Sequence, residues 1–378
     1  MNWFNTAKIS VVLQSPCRIF VPMNAATNRE FIVLGLMSGT SLDGLDLALC
    51  KFINEGAHWK GEIMRADTHP YPDSLRSSLL RAMELSGEEL VLLDNDLGIL
   101  IGEHCKIFLQ NADVHPLCIA SHGHTVFHQP SKHLTFQIGN PAALAVKSGY
   151  KTVADFRRTD VALGGQGAPL VPFGDIHLFS EYEYCLNLGG IANITAKKGE
   201  KIEAFDICPA NMILNHLISE IGKEYDENGS YASTGVVIPD LFDKLNSLEY
   251  YREKGPKSLG REWFENVFLP IVESSGANLA DRLNTCVEHI AFQISAKTSD
   301  SKGRILITGG GAFNTFLLER IRTHVSVEII VPEKNMIQFK EAYVFAFLGL
   351  MRYLEIDNTW SKITGASRSS CGGAIYLP

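Results

Sequence analysis

Phe31-Ile32-Val33-Leu34-Gly35-Leu36-Met37-Ser38-Gly39-Thr40-Ser41-Leu42-Asp43-Gly44-Leu45-Asp46 lies near the start of a 378-residue chain. Phe31–Leu36 is rich in β-forming residues, and Leu45–Ile53 is a second such run. Ser38–Gly44 therefore reads as a polar turn between two strands. The arrangement returns at Tyr184–Leu188, Gly189-Gly190 and Ala192–Ala196: strand, glycine turn, returning strand. Both turns carry glycine beside hydroxyl or amide side chains. The echo predicts two related lobes, each offering one hairpin turn to a shared cleft.

Working outward, strand-like and helix-like patterns alternate. Apolar spacing predicts helices over Ser74–Leu85, Leu90–Gln110, Pro141–Ser148, Met212–Ile221, Leu279–Thr298, Phe313–Val325 and Glu341–Leu354. Leu117–Ala120, Thr152–Ala154 and Arg304–Thr308 read as short buried strands. Gly164-Gly165-Gln166-Gly167 breaks the pattern and reads as a crossing or hinge. Hairpins mixed with βαβ-like units mean an α/β protein with mixed sheets.

Composition narrows the function. The chain is 46% hydrophobic and 20% charged, with a formal net charge of -8, so it is neither disordered nor an evident nucleic-acid binder. No window approaches the ~18 apolar residues of a membrane span. Eight scattered cysteines without a C-x-x-C pair point to a reducing, cytoplasmic compartment. Residues 1–30 lack a basic n-region and an A-x-A site, and read as an extension rather than a signal peptide.

Glycine turns let main-chain N–H groups approach phosphate oxygens. Three are candidates: Ser38–Gly44, Gly189–Asn193 and Gly309–Asn314. Gly39-x4-Gly44 starts like a P-loop, but Leu45-Asp46 stands where Lys-Ser/Thr is required. Asp43 stands where a nucleophile elbow needs glycine. Gly309-x-Gly311-x-x-Asn314 lacks the third glycine of a dinucleotide fingerprint. What remains is a nucleotide held between two lobes, with Asp43 or Asp46 near Mg²⁺.

Other polar residues suggest substrate contacts. His122, His124 and His128 follow a strand; they fit substrate-facing hydrogen bonding better than a metal cluster. Arg157 offers a fork for a carboxylate. Asp206, between apolar neighbours at a strand end, is placed as a general base. Asn211 is the better candidate to cap the helix that follows.

Many of these segments resemble the anhydro-N-acetylmuramic acid kinase family. The resemblance is carried by Gly35–Gly44, Ser121-His122-Gly123-His124-Thr125, Gln137–Pro141, Ala154–Arg157, Gly164–Pro172, Asn187–Ile191, Phe205-Asp206, the 256–262 segment, Gly309–Asn314 and Thr364–Ala366. It implies a two-lobed actin/Hsp70/sugar-kinase fold with an RNase H-like sheet in each lobe. Residues 31–158 with a return at 361–378 would form lobe I, and 159–360 lobe II. The implied reaction opens the 1,6-anhydro bridge with water and phosphorylates O6 from ATP·Mg²⁺. Asp206 corresponds to the base. Ser38, Gly39, Thr40, Ser41, Asp43, Gly44, Asp46, Gly189, Gly190, Asn193, Gly309, Gly310, Gly311 and Asn314 are expected on the nucleotide, with Asp43 and Asp46 toward Mg²⁺. His122, Gly123, His124, Asn140, Arg157, Gln166, Asn211 and Glu341 are expected on the amino sugar. Cys208 and Ala210 replace two family glycines, and His124 replaces a glutamine, which puts the sugar contacts in question. The partner is a small amino sugar rather than a nucleic acid or membrane; a homodimer is left open. A non-catalytic ATP-switch protein on the same fold is the alternative.

Overall fold

The computed structural model describes residues 29–39, 42, 44–56, 58–110, 112–199, 201–253, 257–298 and 302–378. Residues 1–28, and Thr40, Ser41 and Asp43 of the first turn, lie outside the described residues.

The chain begins with β1 (Arg29–Ser38), β2 (Gly44–Asn54), β3 (Trp59–Pro70), α1 (Asp73–Leu80), α2 (Gly87–Leu109), β4 (Cys118–Ser121), β5 (His124–Gln129), β6 (Leu134–Ile138), α3 (Pro141–Ser148), β7 (Thr152–Ala154), α4 (Arg158–Ala162) and α5 (Val171–Leu178). It continues with β8 (Tyr184–Leu188), β9 (Ile191–Lys198), β10 (Lys201–Pro209), α6 (Asn211–Ile218), α7 (Pro239–Asn246), α8 (Glu249–Arg252), α9 (Arg261–Trp263), α10 (Leu269–Glu273), α11 (Leu279–Thr298), β11 (Arg304–Thr308), α12 (Thr315–His324) and β12 (Glu328–Ile330). It closes with α13 (Lys334–Tyr353), α14 (Ser361–Thr364) and β13 (Ala374–Tyr376).

One sheet runs β13-β7-β4-β1-β2-β3 and another β10-β9-β8-β11-β12. Counted from its own first strand, each reads 3-2-1-4-5, with β13 added beyond the fifth strand of the first sheet. In both, the second strand pairs antiparallel with the first and third, and the fourth pairs parallel with the first and fifth. The echo in the sequence is thus a duplicated topology, the actin-like arrangement of two RNase H-like sheets.

Strand alternation sorts side chains into layers. On β1, Leu34 and Leu36 face α2 and α3, whereas Val33 and Met37 face α13. On β8, Tyr184, Leu186 and Leu188 face α6, α11 and α12, while Cys185 faces the other way. The middle core takes residues from both sheets, with α5 and α13 between them. Among the described residues no helix is long and apolar enough to cross a membrane.

Several boundaries differ from the sequence pattern. The 74–85 helix breaks at Arg81 (φ -99°, ψ 6°) into α1 and a single 3-10 turn. The helix expected from Phe313 starts at Thr315, after a 3-10 turn over Gly310–Phe313. The one expected from Glu341 starts at Lys334. Its first turns carry Lys334, Asn335, Gln338 and Lys340, which hide the apolar period. The edge strand β3 is half exposed and charged, a protective pattern that erases alternation. The extension ends before Arg29, where β1 begins.

Gly35 faces α13 so closely that a Cβ would fall on the Ala342 carbonyl. Gly35→Ala is expected to lower the unfolding free energy by about 1–3 kcal/mol, the usual cost of overpacking. Gly87→Ala, where a Cβ meets open space, is the control and should stay within about 0.5 kcal/mol. Urea unfolding of both variants checks this.

Candidate functional site

Two polar groups gather at the end of β1, one on each face of the first sheet. Ser38 ends β1 and is buried. Tyr71 donates to its Oγ at 2.8 Å, and the Ser38 hydroxyl meets His124 Nδ1 at 3.3 Å. Ser38 Oγ, with one proton and two lone pairs, thus links the Tyr71 hydroxyl to the imidazole. Burial pushes the Tyr71 hydroxyl up to about 12, so this donor stays protonated. Asp46 lies across from Met37 on β1 and Thr68 on β3, on the α13 side, and its Oδ1 accepts from the Thr68 hydroxyl at 2.6 Å.

His122 and Arg157 fix one another. His122 Nδ1 lies 2.9 Å from the Gly123 carbonyl, which can only accept, so Nδ1 carries the proton. Nε2 then accepts from Arg157 Nε at 3.0 Å and from the second guanidinium nitrogen at 2.9 Å. The third nitrogen donates to the Gly167 carbonyl at 2.7 Å. Burial, then the Arg157 charge, holds His122 well below the usual imidazole range. Burial pulls Arg157 down to about 10, opposed by Glu341. Glu341, one residue before Ala342 on α13, is open to solvent yet deep between the sheets. Its carboxyl is raised, first by desolvation, with Asp46 adding to the effect and Arg157 opposing it.

Buried Asp160 clamps the glycine loop onto the end of the chain. Its Oδ2 accepts from Gly167 N–H at 2.7 Å and its Oδ1 from the Thr364 hydroxyl at 2.6 Å. Gln166 N–H donates to the Thr364 carbonyl at 2.8 Å, and its side chain is exposed. A Cβ at Gly165 would overlap Asp160 and Ala366. The Gly165–Gly167 backbone is thus tied to the end of the chain where the sequence pattern breaks.

The second sheet contributes a row set by register. Asn187 on β8 pairs with Asn193 on β9, which pairs with Asp206 on β10. Directly opposed residues share a face. This is the face on which Thr195 donates to Asp175 of α5 at 2.6 Å, toward the cleft layer. Asp206 Oδ2 accepts from Leu259 N–H at 2.8 Å. Burial raises the Asp206 carboxyl above its usual 3.8, and the Leu259 bond opposes this. α14 lies against β10, which brings the Thr364 clamp to the strand bearing Asp206.

The glycine turns of the second lobe meet at one place. The carbonyls of Gly189 and Gly190 accept from Ala210, Asn211 and Met212 N–H at 2.8–3.1 Å, tying the β8–β9 turn to the start of α6. Gly309 has φ 83°, and a Cβ there would strike Asn187 and the Leu188 backbone. Gly310, Gly311 and Asn314 line a cavity of about 760 Å³, with Asn211, Leu214 and Asn228 on one side and Lys334 and Gln338 of α13 on another. That volume suits a ligand of nucleotide size.

A family model described as anhydro-N-acetylmuramic acid kinase matches residues 31–378. The chain belongs to this family. Curated relatives of that description include one from Aliivibrio fischeri, 36% identical over 375 residues, covering 91% of this chain and 98% of the relative. Another, from Sulfurovum sp., is 33% identical over 368 residues and covers 93% of this chain and all of the relative. One from Vibrio cholerae is 34% identical over 371 residues, covering 92% and 98%. The fold and the enzyme class therefore agree with the sequence reading.

Within this kinase family frame, the expected residues divide. Ser38, His122, Gly123, His124, Arg157, Gln166, Asp46 and Glu341 gather on the first-lobe side. Gly189, Gly190, Gly309, Gly310, Gly311 and Asn314 gather on the second-lobe side. Gly39 and Gly44 flank the first turn; a Cβ at Gly44 would overlap the His69 carbonyl. Asn314 caps α12 through its Oδ1 and also lines the cavity.

Two expectations need correction. Asn140 caps α3 with its Oδ1, and its amide donates to Asn95 at 2.8 Å, so the side chain is engaged in the outer helices. Asn211 does not cap α6; it is the first helical residue, and its Nδ2 donates to the Leu188 carbonyl at 2.9 Å, beside the triglycine. It lines the cavity beside Gly310 and Gly311, away from His122 and Arg157. Cys208 and Ala210 also lie elsewhere than supposed. A bulge between Asp206 and Cys208 turns Ile207 and Cys208 together into the second-lobe core, and Ala210 is buried there too. Neither replacement opens to the cleft. The residues sequence reasoning missed are Tyr71, Thr68, Tyr250 and the cavity-lining Asn228, Lys334 and Gln338. Only Asn228, in an Asn-Gly pair, carries a local signal.

The lowered histidines give a pH dependence. In the unfolded chain they take up protons near 6.5; buried His122 stays neutral, and burial drops His289 to about 3. Acid therefore favours unfolding. The contribution is complete above 6.5 and lost as pH falls below it, at about 1.4 kcal/mol per pH unit for a fully depressed group. Denaturant midpoints should be lower at pH 5.5 than at 7.5, and His122→Gln should narrow the gap.

Proposed function

We propose that the chain opens the 1,6-anhydro bridge of anhydro-N-acetylmuramic acid with water and transfers the γ-phosphoryl group of ATP to O6. Water bonds to C1 as the C1–O6 bond breaks, and O6 attacks phosphorus as ADP departs. The products are N-acetylmuramic acid 6-phosphate and ADP. The observation that carries the reading is Asp206: a carboxylate on the cleft face, one oxygen held, its pKa raised by desolvation. Such a group removes a proton better than a solvated carboxylate.

The remaining roles follow from placement. Arg157, locked by His122 and Gly167, presents a positive charge near Glu341, suited to the lactyl carboxylate of the sugar. Gln166 and His124 supply neutral hydrogen bonds on the same side. The N–H groups of Gly189, Gly190 and the Gly309–Gly311 turn cradle phosphate, their chain already fixed by carbonyl bonds and close packing. The cavity beyond Gly310 takes the nucleoside. Asp46 fits Mg²⁺, a hard ion that accepts one or two carboxylates beside water and phosphate oxygens. Asp43, three residues earlier in the chain, is proposed as its companion. When bound, Mg²⁺ neutralises developing phosphoryl charge. Residues 31–158 with 361–378 form lobe I and 159–360 lobe II, with α5 and α13 as the shared layer. ATP dependence places the reaction in the cytoplasm. Every assigned residue lies on one chain, so the chemistry does not require a homodimer.

Incubation with ATP, Mg²⁺ and the anhydro-sugar should give the 6-phosphate of the opened sugar by mass. ATP hydrolysis indifferent to sugar would instead favour the non-catalytic switch. Asp206→Asn should lose turnover by about 10²–10⁴-fold, with both products falling together. In the parent enzyme, kcat should fall on the acid side as Asp206 protonates above the usual carboxylate range. A variant that still phosphorylates O6 at near-normal rate would remove Asp206 from the mechanism.

A further inference from the structure

Asp206 is gripped from outside its own sheet. Tyr250 of α8, with Lys257 and Leu259 ahead of α9, touches it at three atoms. Leu259 N–H donates to Oδ2 at 2.8 Å, Tyr250 OH donates to the Asp206 carbonyl at 2.6 Å, and Asp206 N–H donates to the Lys257 carbonyl at 3.0 Å. A strand residue is ordinarily held only by its ladder partners.

Tyr250 is itself fixed. Lys257 Nζ donates to the Tyr250 carbonyl and stands 3.8 Å from the ring centroid. The ring packs at 5.4 Å against Trp263 and 5.6 Å against Tyr251. Tyr251 OH meets His289 Nε2 at 3.0 Å, and His289 Nδ1 meets Asn246 Oδ1 at 2.8 Å. An amide oxygen only accepts, so Nδ1 carries the proton and Nε2 accepts from Tyr251. Tyr250 and Tyr251 are thereby anchored to α7 and α11. Tyr250 is buried, and its hydroxyl stays protonated because burial and the neighbouring Asp206 charge both oppose ionisation.

Resting on the reading of Asp206 as base, we infer that Tyr250 is a positioning residue for it. The hydroxyl holds the Asp206 main chain while Leu259 holds Oδ2. Oδ1 is then the oxygen that takes the proton from water. The bond is made to a main-chain carbonyl, so its work is aim rather than charge. Misaiming a base by a fraction of an ångström costs rate without touching affinity.

Steady-state kinetics on the full chain test this with four proteins: parent, Tyr250→Phe, Asp206→Asn and the double variant. Tyr250→Phe keeps the ring and its packing. It should lower kcat about 10- to 100-fold with KM for ATP and sugar within about twofold. In the Asp206→Asn background it should change nothing further, since Tyr250 acts through that carboxylate. Lys257→Met, which frees Tyr250 from its ammonium tie, should repeat the pattern at smaller amplitude and serves should Tyr250→Phe fold poorly. Unchanged kcat in Tyr250→Phe, a rise in KM alone, or equal losses in both backgrounds would overturn the inference while leaving Asp206 as base. Near-normal turnover in Asp206→Asn would overturn the base reading itself, and the inference with it.

Discussion

Helix α13 can lie against the first sheet only because position 35 has no side chain. The Gly35–Ala342 approach fixes the helix both along its axis and about it. Three successive residues then take three different surroundings. Ala342 meets the sheet. Glu341, about 100° around the helix, enters the cleft opposite Arg157 and Asp46. Lys340 turns the other way and pairs with Asp175 of α5 at 2.7 Å, fully buried. Asp175 in turn accepts from Thr195 on β9. A buried pair of this kind is weak as a source of stability and strong as a specification of register, because either charge alone would be costly. The two sheets are thus joined through one helix whose rotation a single glycine permits.

The cleft residues depend on a second closure, made by the end of the chain. Asp155 turns at φ 62°, a left-handed conformation uncommon for a residue with a side chain. Its carboxylate accepts from the Tyr376 hydroxyl at 2.8 Å and pairs with Arg158 at 2.7 Å. That turn lets Arg157, two residues on, reach back to His122. The strut from Asp160 to Thr364 then fixes the Gly167 carbonyl that Arg157 needs. A site residue near position 157 therefore relies on residues near 364 and 376. This is long-range order that no local window contains.

How much the sequence discloses follows from where the constraint lies. β8, β11, β7, α3 and α11 are legible to their ends, because apolar period, glycine and proline coincide there. So is the duplicated strand–turn–strand, and with it the two-lobed fold. The glycine turns are legible because close approach demands glycine, and Gly309 shows it on both counts, positive φ and contact. Asn140 and Asn211 were misread for a shared reason. An asparagine near a helix start can cap, brace a loop or face a ligand, and only the third dimension selects among these. Tyr250 could not be found at all. Its bond is to a main-chain oxygen, and a tyrosine pair among charged residues, Glu249-Tyr250-Tyr251-Arg252, carries no motif that would point to Asp206.

The two lobes repeat a topology without repeating a role. In the first sheet the row facing the cleft is Met37, Asp46 and Thr68; in the second it is Asn187, Asn193 and Asp206. The acid stands on the second strand in one lobe and on the third in the other. The bulge after Asp206 completes the difference. It lets the strand show a carboxylate to the cleft and then send two consecutive residues, Ile207 and Cys208, into the core. Glycine at 208 is therefore not demanded by the site: the position looks inward, and a small apolar thiol packs there. Ala210, at φ -123°, likewise needs no left-handed backbone. Both departures from the family glycines are therefore changes of packing behind Asp206 and not of the surface beside it.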